Sequence, residues 1–367
     1  MRKLKTLLIL LLTLGLAALL STAALADDAT NGTCGTNLTW TLNTDTGVLT
    51  ISGEGAMEDY ECGGAPWYSQ REIITSVVIE DGVTSIGENA FCGSSLASVT
   101  IPDGVIFIGE GAFASCFNLE EVVLPSSITY IGNYVFELCD NLTDIVIPDN
   151  VTFLGDGVFS WCTALVSISI GSGITEIGEE TFNKCLELKD VEIPAGVTSI
   201  GYGAFAYCLS LTNITLPEGV TSIGDYAFSS CNSLSSISIP VSVTHIGDYA
   251  FAEFGNALTD VYYSGDETDW AAIDIGDGSE FITSATIHYN STGPDDETGD
   301  STPGDLNGDG EVDASDLTVL ARHVGKVETM EDETALANAD VTGDGNVDAS
   351  DLTRLAQYVG KIISALD

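Results

Sequence analysis

Two stretches near the C-terminus carry oxygen donors at the spacing a calcium ion requires. Asp305, Asn307, Asp309, Asp313 and Asp316 fall at positions 1, 3, 5, 9 and 12 of one loop, with the Glu311 carbonyl at position 7. Asp340, Thr342, Asp344, Asp348 and Asp351 repeat the pattern, with the Asn346 carbonyl as the main-chain ligand. Calcium takes six to eight oxygens, and this spacing wraps them around one ion while Gly310 or Gly345 makes the sharp turn. Two calcium ions are expected. The second site should be the weaker, because Thr342 is a poorer ligand than Asn307. Position 12 is Asp in both loops, where the general loop pattern has Glu. Each loop runs into a helix, and the two helices are nearly the same sequence, residues 313–326 and 348–361.

No other constellation points to catalysis. His245, His288 and His323 are isolated in the sequence. Carboxylates are too numerous to single out a glycosidase acid and nucleophile. Neither a phosphate loop nor a zinc spacing is present. The expectation is a chain without enzymatic activity. The alternative is a polysaccharide hydrolase or a protease whose active site the sequence does not reveal.

Residues 1–26 read as a secretory signal peptide: Arg2, Lys3 and Lys5, then an apolar stretch, then small residues at Ala24-Leu25-Ala26. The apolar stretch is short for a membrane span, so a secreted, extracellular protein that does not span a membrane is expected. Loss of the three basic residues takes the formal charge from −45 to −48. Such acidity argues against nucleic acid and anionic membranes as partners. With 44% hydrophobic residues the chain still has ample material for a core, so its acidity does not signal disorder.

That core is written as a repeat. An Ile/Leu-Gly element ends at Gly87, Gly109, Gly132, Gly155, Gly178, Gly201, Gly224 and Gly247, and a Phe follows each Gly by four. Six cysteines, from Cys116 to Cys231, recur every 23 residues. A period of this length marks a solenoid. Each unit holds two short β-like pieces, Leu-x-x-Val-x-Ile and Val-x-x-Ile. One unit cannot bury its apolar face alone, so stacked neighbours must do so. Parallel stacking at about 4.7–4.9 Å would put Phe, Leu and Cys in interior ladders. Cysteines so arranged, with parallel Cβ vectors, lie beyond disulfide reach and are expected as buried free thiols.

The chain divides into a β-rich N-terminal cap over 27–76, the solenoid over 77–263, and a C-terminal cap over 264–290. An acidic linker follows over 291–303, then a last domain over 304–367. Cys34 and Cys62 could close the first cap as a disulfide or remain free. In the solenoid, the residue before Ile/Leu-Gly is Phe107, Tyr130 and Phe153 in three consecutive repeats, then Glu176, Ser199 and Ser222. An exposed aromatic row could stack on sugars or anchor a protein. It could also simply pack locally. Trp161 and Tyr207 share another variable position, just before the ladder cysteine.

The repeats, through Ile-Gly-x-x-Ala-Phe and Cys-x-x-Leu-x-x-Val-x-Ile-Pro, resemble the BspA-like bacterial leucine-rich repeats over residues 34–290. The resemblance implies a leucine-rich-repeat β-solenoid used for adhesion or binding, with no family-wide catalytic residue. Residues 304–367 resemble a type I dockerin, a small all-α module of paired EF-hand-like loop-helix motifs. It implies a calcium-dependent plug for the cohesin module of a cellulosome scaffoldin, and hence a role in polysaccharide degradation. By that match, Ala314, Ser315, Arg322 and Lys326 form one cohesin-facing surface, and Ala349, Ser350, Gln357 and Lys361 the other. Their near-identity implies docking in either of two orientations. The resemblances leave the solenoid's ligand open, as protein or carbohydrate.

Overall fold

The computed structural model describes residues 30–252 and 258–293. The signal peptide, the linker beyond its first three residues, both calcium loops and all eight cohesin-facing positions lie outside the described residues. The chain divides into two compact units. One runs to Val261 and includes Ala271–Thr286; the other holds Tyr262–Trp270 and the chain from Ile287 onward.

The first unit is a β-solenoid of about nine turns. Its strands are short and parallel, and they follow the two β-like pieces of the repeat. In one ladder Leu49, Val77, Val99 and Val122 are successive in-register partners. Ile145, Ile168 and Val191 continue it, as do Ile214 and Ile237. The second ladder aligns Ile86, Ile108, Ile131 and Leu154, then Ile200, Ile223 and Ile246. Strands of exposed-buried-exposed pattern point only the central residue inward, as a two-residue side-chain period dictates. Proline punctuates the two pieces by closing a turn, with the Val151 N–H donating to Pro148 O at 3.0 Å and Val220 to Pro217 at 3.0 Å.

The sequence did not announce a third hydrogen-bonded side. The segment from Gly to Cys is neither strand nor helix, yet alternate N–H groups donate to the next turn. Phe136 donates to Val158 O at 2.9 Å and Phe159 to Thr181 O at 2.9 Å. Left-handed residues two and six places after each Gly from Gly87 to Gly224 keep the amides pointing along the stack. Tyr134 at φ 55° and Leu138 at φ 58° show the pair in one turn. The Gly itself is required by close approach. A Cβ on Gly201 would lie 2.7 Å from Gly178 C, and one on Gly224 2.7 Å from Gly201 C.

Phenylalanines from Phe91 to Phe251 form an unbroken buried column, with ring centroids 5.2–5.7 Å apart. Beside it, each ladder thiol donates to the carbonyl of the previous turn's Phe, as Cys162 does to Phe136 O at 3.1 Å. A thiol at this position is a small apolar filler that still satisfies a weak donor. Burial pushes the ladder thiols up, to about 12 at Cys116 and at Cys231. They stay protonated at neutral pH and unreactive.

The ends differ from the interior. At the N-terminal end an antiparallel hairpin, Leu38–Asn43 with Val48–Gly53, sets Trp40 opposite Ile51. Trp67 stacks on Phe91 at 5.7 Å and takes the place of a further Phe. Its indole N–H donates to Ala90 O at 2.8 Å. Cys34 is buried in this cap, whereas Cys62 is exposed. The closure considered between those two is not the proximity the structure has: Cys62 Sγ lies 4.0 Å from Cys92 Sγ.

At the far end the second ladder continues one step beyond the eight repeats, with Ile246 paired to Ile275. The following Gly276 meets the backbone of the preceding turn as the other glycines do. This ninth step escapes the sequence pattern because the interval from Gly247 is 29 and Glu280 stands where Phe would be. Ser279 replaces backbone there, accepting from Ala250 N at 2.8 Å and donating to Gly247 O at 2.9 Å. The second unit's described residues include the helix Glu267–Trp270, with Trp270 edge-on to Tyr263 at 5.1 Å.

Phe159 touches a ring on each side. Phe159→Ala opens a buried gap in the column and should cost about 3–5 kcal/mol, read as a fall in the denaturant midpoint of the full chain.

Candidate binding faces of the repeat stack

The second ladder alternates one inward aliphatic with one outward residue, so its outward row is set by a single sequence position. Three consecutive outward residues are Phe107, Tyr130 and Phe153, directly in register. Their rings stack at 4.6 Å with an interplanar angle of 12°, then at 4.5 Å and 6°. Phe107 and Tyr130 are half-buried, and Phe153 is 38% exposed. The structure therefore brings the three named residues into one ridge. Because each ring covers its neighbour's face, the ridge offers ring edges and only the two outermost faces. The same row carries Ser199, Ser222 and His245 farther on. His245 Nδ1 lies 3.1 Å from Asp274 Oδ2, an exposed pair.

A second aromatic set lies on the turn side. Trp161 and Tyr207 flank Lys184 in adjacent turns. The ammonium sits 3.7 Å above the Trp161 ring and 5.5 Å from that of Tyr207. All three residues are left-handed, with φ of 61–63°. This sandwich fills the aromatic position with the chain's own cation. Tyr202, Tyr226 and Tyr249 make another line, at 5.6 Å and 5.2 Å, all partly exposed. Sequence reasoning missed it. Tyr202 occupies a different position of the unit from the other two, so periodicity alone does not align them.

The turn side is also strongly acidic. Carboxylates after the repeat glycines accept the next turn's N–H: Asp156 from Glu179 at 2.9 Å and Asp225 from Asp248 at 2.8 Å. Where charges crowd, protons are held more tightly. Burial and then the Glu180 charge raise the Glu137 carboxyl, and burial followed by Asp59, Glu110 and Glu61 raises Glu88. On another side, a groove of about 470 Å³ opens where Asp190–Val191 and Asn213–Thr215 part, lined in part by Glu192, Ile193 and Pro217. Among the described residues, no group of His, Cys, Asp and Glu could hold a metal ion. No helix among them is long and apolar enough to cross a membrane.

Residues 66–189 and 154–269 match the BspA type leucine rich repeat region in six copies. Residues 303–360 match the type I dockerin domain. None of the curated proteins matches the chain. Among solved structures, the chain is similar to a leucine-rich repeat protein from Eubacterium ventriosum. They are 30% identical, over 64% of this chain and 73% of that one, with a TM-score of 0.44. It is also similar to a leucine rich cell surface protein from Faecalibacterium prausnitzii, at 24% identity over 68% and 98% of the two chains, TM-score 0.31. A leucine rich repeat protein of T. pallidum is 24% identical over 63% and 86%, TM-score 0.34. The stacked Ile-Gly turns, the interior Phe column and the extent of the first match lead to one assignment: the chain belongs to the BspA-type leucine-rich-repeat family and carries a type I dockerin domain.

Proposed function

We propose that this protein is a secreted, non-catalytic binding component that docks through its dockerin to a cohesin of a cellulosome scaffoldin. Its repeat stack presents a ridge to a protein ligand. The duplicated donor loop carries the first half of this reading. Asp305, Asn307, Asp309, Glu311, Asp313 and Asp316 hold one calcium ion. Asp340, Thr342, Asp344, Asn346, Asp348 and Asp351 hold the second, more weakly. Calcium fixes each loop against the start of the following helix and so presents Ala314, Ser315, Arg322 and Lys326, or Ala349, Ser350, Gln357 and Lys361. Four of the seven basic residues left after signal removal, Arg322, Lys326, Arg354 and Lys361, lie in this module, which suits an acidic partner surface.

The Phe107–Tyr130–Phe153 ridge supports a protein ligand over a carbohydrate. A sugar stacks on an open ring face, and here the inner faces are occupied by neighbouring rings. Edges standing out from an otherwise polar row suit insertion between side chains of a protein partner. The chain's acidity favours a partner with a basic surface.

Three measurements test this. Calorimetric titration of the full chain should resolve two calcium sites of unequal affinity; two equally tight sites would contradict the role given to Thr342. Chelation should abolish capture by a cohesin. Ser315→Ala or Ser350→Ala alone should leave capture nearly intact while the double variant loses it, and loss from one change alone would end the two-orientation reading. Finally, the full chain can be probed against arrays of extracellular proteins and plant-wall polysaccharides. Tyr130→Ala with Phe153→Ala should remove protein capture at least tenfold, and Phe117→Ala, exposed but off the ridge, should not. Capture confined to polysaccharides, or untouched by the double change, would overturn the ridge.

A further inference from the structure

We propose that Cys62 and Cys92 form a disulfide that bolts the N-terminal cap to the first repeat, made by exchange with a disulfide oxidant outside the cell. Their sulfurs lie 4.0 Å apart as free thiols. The loop that carries Cys62 is held on both sides of it. Before it, Tyr60 N donates to Glu88 O at 3.0 Å, Glu88 N donates to Asp59 Oδ1 at 3.0 Å, and Asn89 Nδ2 donates to Tyr60 O at 2.9 Å. After it, Trp67 Nε1 donates to Ala90 O at 2.8 Å and Ser95 N donates to Arg71 O at 3.0 Å. Cys62 sits in a tight turn closed by Gly64 N on Glu61 O at 2.7 Å. The left-handed Gly63, at φ 81°, permits that turn. These hydrogen bonds hold the two segments together, so the 4.0 Å approach of the sulfurs is a feature of the cap's own packing, and closing it to a bond is the step we propose.

The repeat itself explains why Cys92 is available. The first unit is one residue short, and Ser94 takes the ladder place, its N–H donating to Phe91 O at 3.1 Å as Cys116 N does to Phe113 O at 3.3 Å. Ser94 is buried there, whereas Cys92 is partly exposed beside Cys62. The six ladder thiols and Cys34 are buried, so among nine cysteines only this pair faces an oxidant. Burial lifts the Cys92 thiol to about 11, with Cys62 adding to the rise and Arg71 opposing it. Cys62, the more exposed, meets the oxidant first. Its thiolate attacks the oxidant's disulfide, and one half leaves as a thiol. Cys92 then gives its proton to solvent and attacks Cys62 sulfur, and the second half leaves. Two protein thiols are oxidised to one disulfide, and one oxidant disulfide is reduced to two thiols.

The bond closes the open end of the Phe column, next to Trp67 on Phe91. The end turn of a stack has only one neighbour and opens first, and a cross-link there restricts the unfolded chain. The test incubates the full chain with oxidised glutathione, followed by unfolding, alkylation and peptide mapping. The expected result is loss of two hydrogens, a Cys62–Cys92 linked peptide, seven cysteines still alkylated, and a rise of a few degrees in the unfolding midpoint. Cys34→Ser should behave the same, and Cys92→Ser should stop at a glutathione adduct on Cys62 without the rise. A Cys34–Cys62 link, a wild-type Cys62 adduct that never resolves, or full alkylation of both residues would overturn the proposal.

Discussion

Every turn of this protein depends on contact with the next one. A unit of 23 residues has too little apolar surface to fold by itself, so its stability is the stability of the turn-to-turn interface. Three contacts make that interface: Phe ring on Phe ring, short parallel strands in register, and the close backbone approach that excludes a Cβ at Gly201 or Gly224. Gly, Phe and the ladder Cys recur at one spacing because each occupies one place in the same interface. An interface of this kind leaves two ends, and the ends are where the pattern changes. Trp67 substitutes for Phe at one, and Ser279 supplies hydrogen bonds at the other.

The same stacking explains how so acidic a chain folds. Equivalent carboxylates on successive turns are neighbours, which is unfavourable when they do nothing else. Many of them accept the next turn's N–H, as Asp156 and Asp225 do, so the charge also ties the turns together. At Glu137 and Glu88, burial and then neighbouring carboxylates make the carboxyls hold their protons more tightly. Lys184, set between Trp161 and Tyr207, is a local cation within this surface.

The two modules divide the work. Type I dockerin domains are generally calcium-binding, and the one matched here spans residues 303–360. The repeat stack offers long rows of side chains in fixed register, and its aromatic ridge is one such row. Neither matched module is a catalytic type. The stack's extended surface suits binding, and its interior is filled with side chains.

The period and the interior Phe and Cys ladders were legible in the sequence because each is set by short, regular spacing. In-register parallel pairing converts that spacing directly into neighbours, so Phe107, Tyr130 and Phe153 read as a row before any coordinates. The ninth step at Ile275 was hidden by a 29-residue interval. The line of Tyr202, Tyr226 and Tyr249 was hidden by a change of position within the unit. Tertiary structure alone decided that the ridge stands edge-on, that Lys184 occupies the Trp161 face, and that Cys62 meets Cys92 while Cys34 lies buried. The physical reason is the same in each case. These contacts depend on ring rotation and on how an irregular loop folds back over the stack, and neither is periodic.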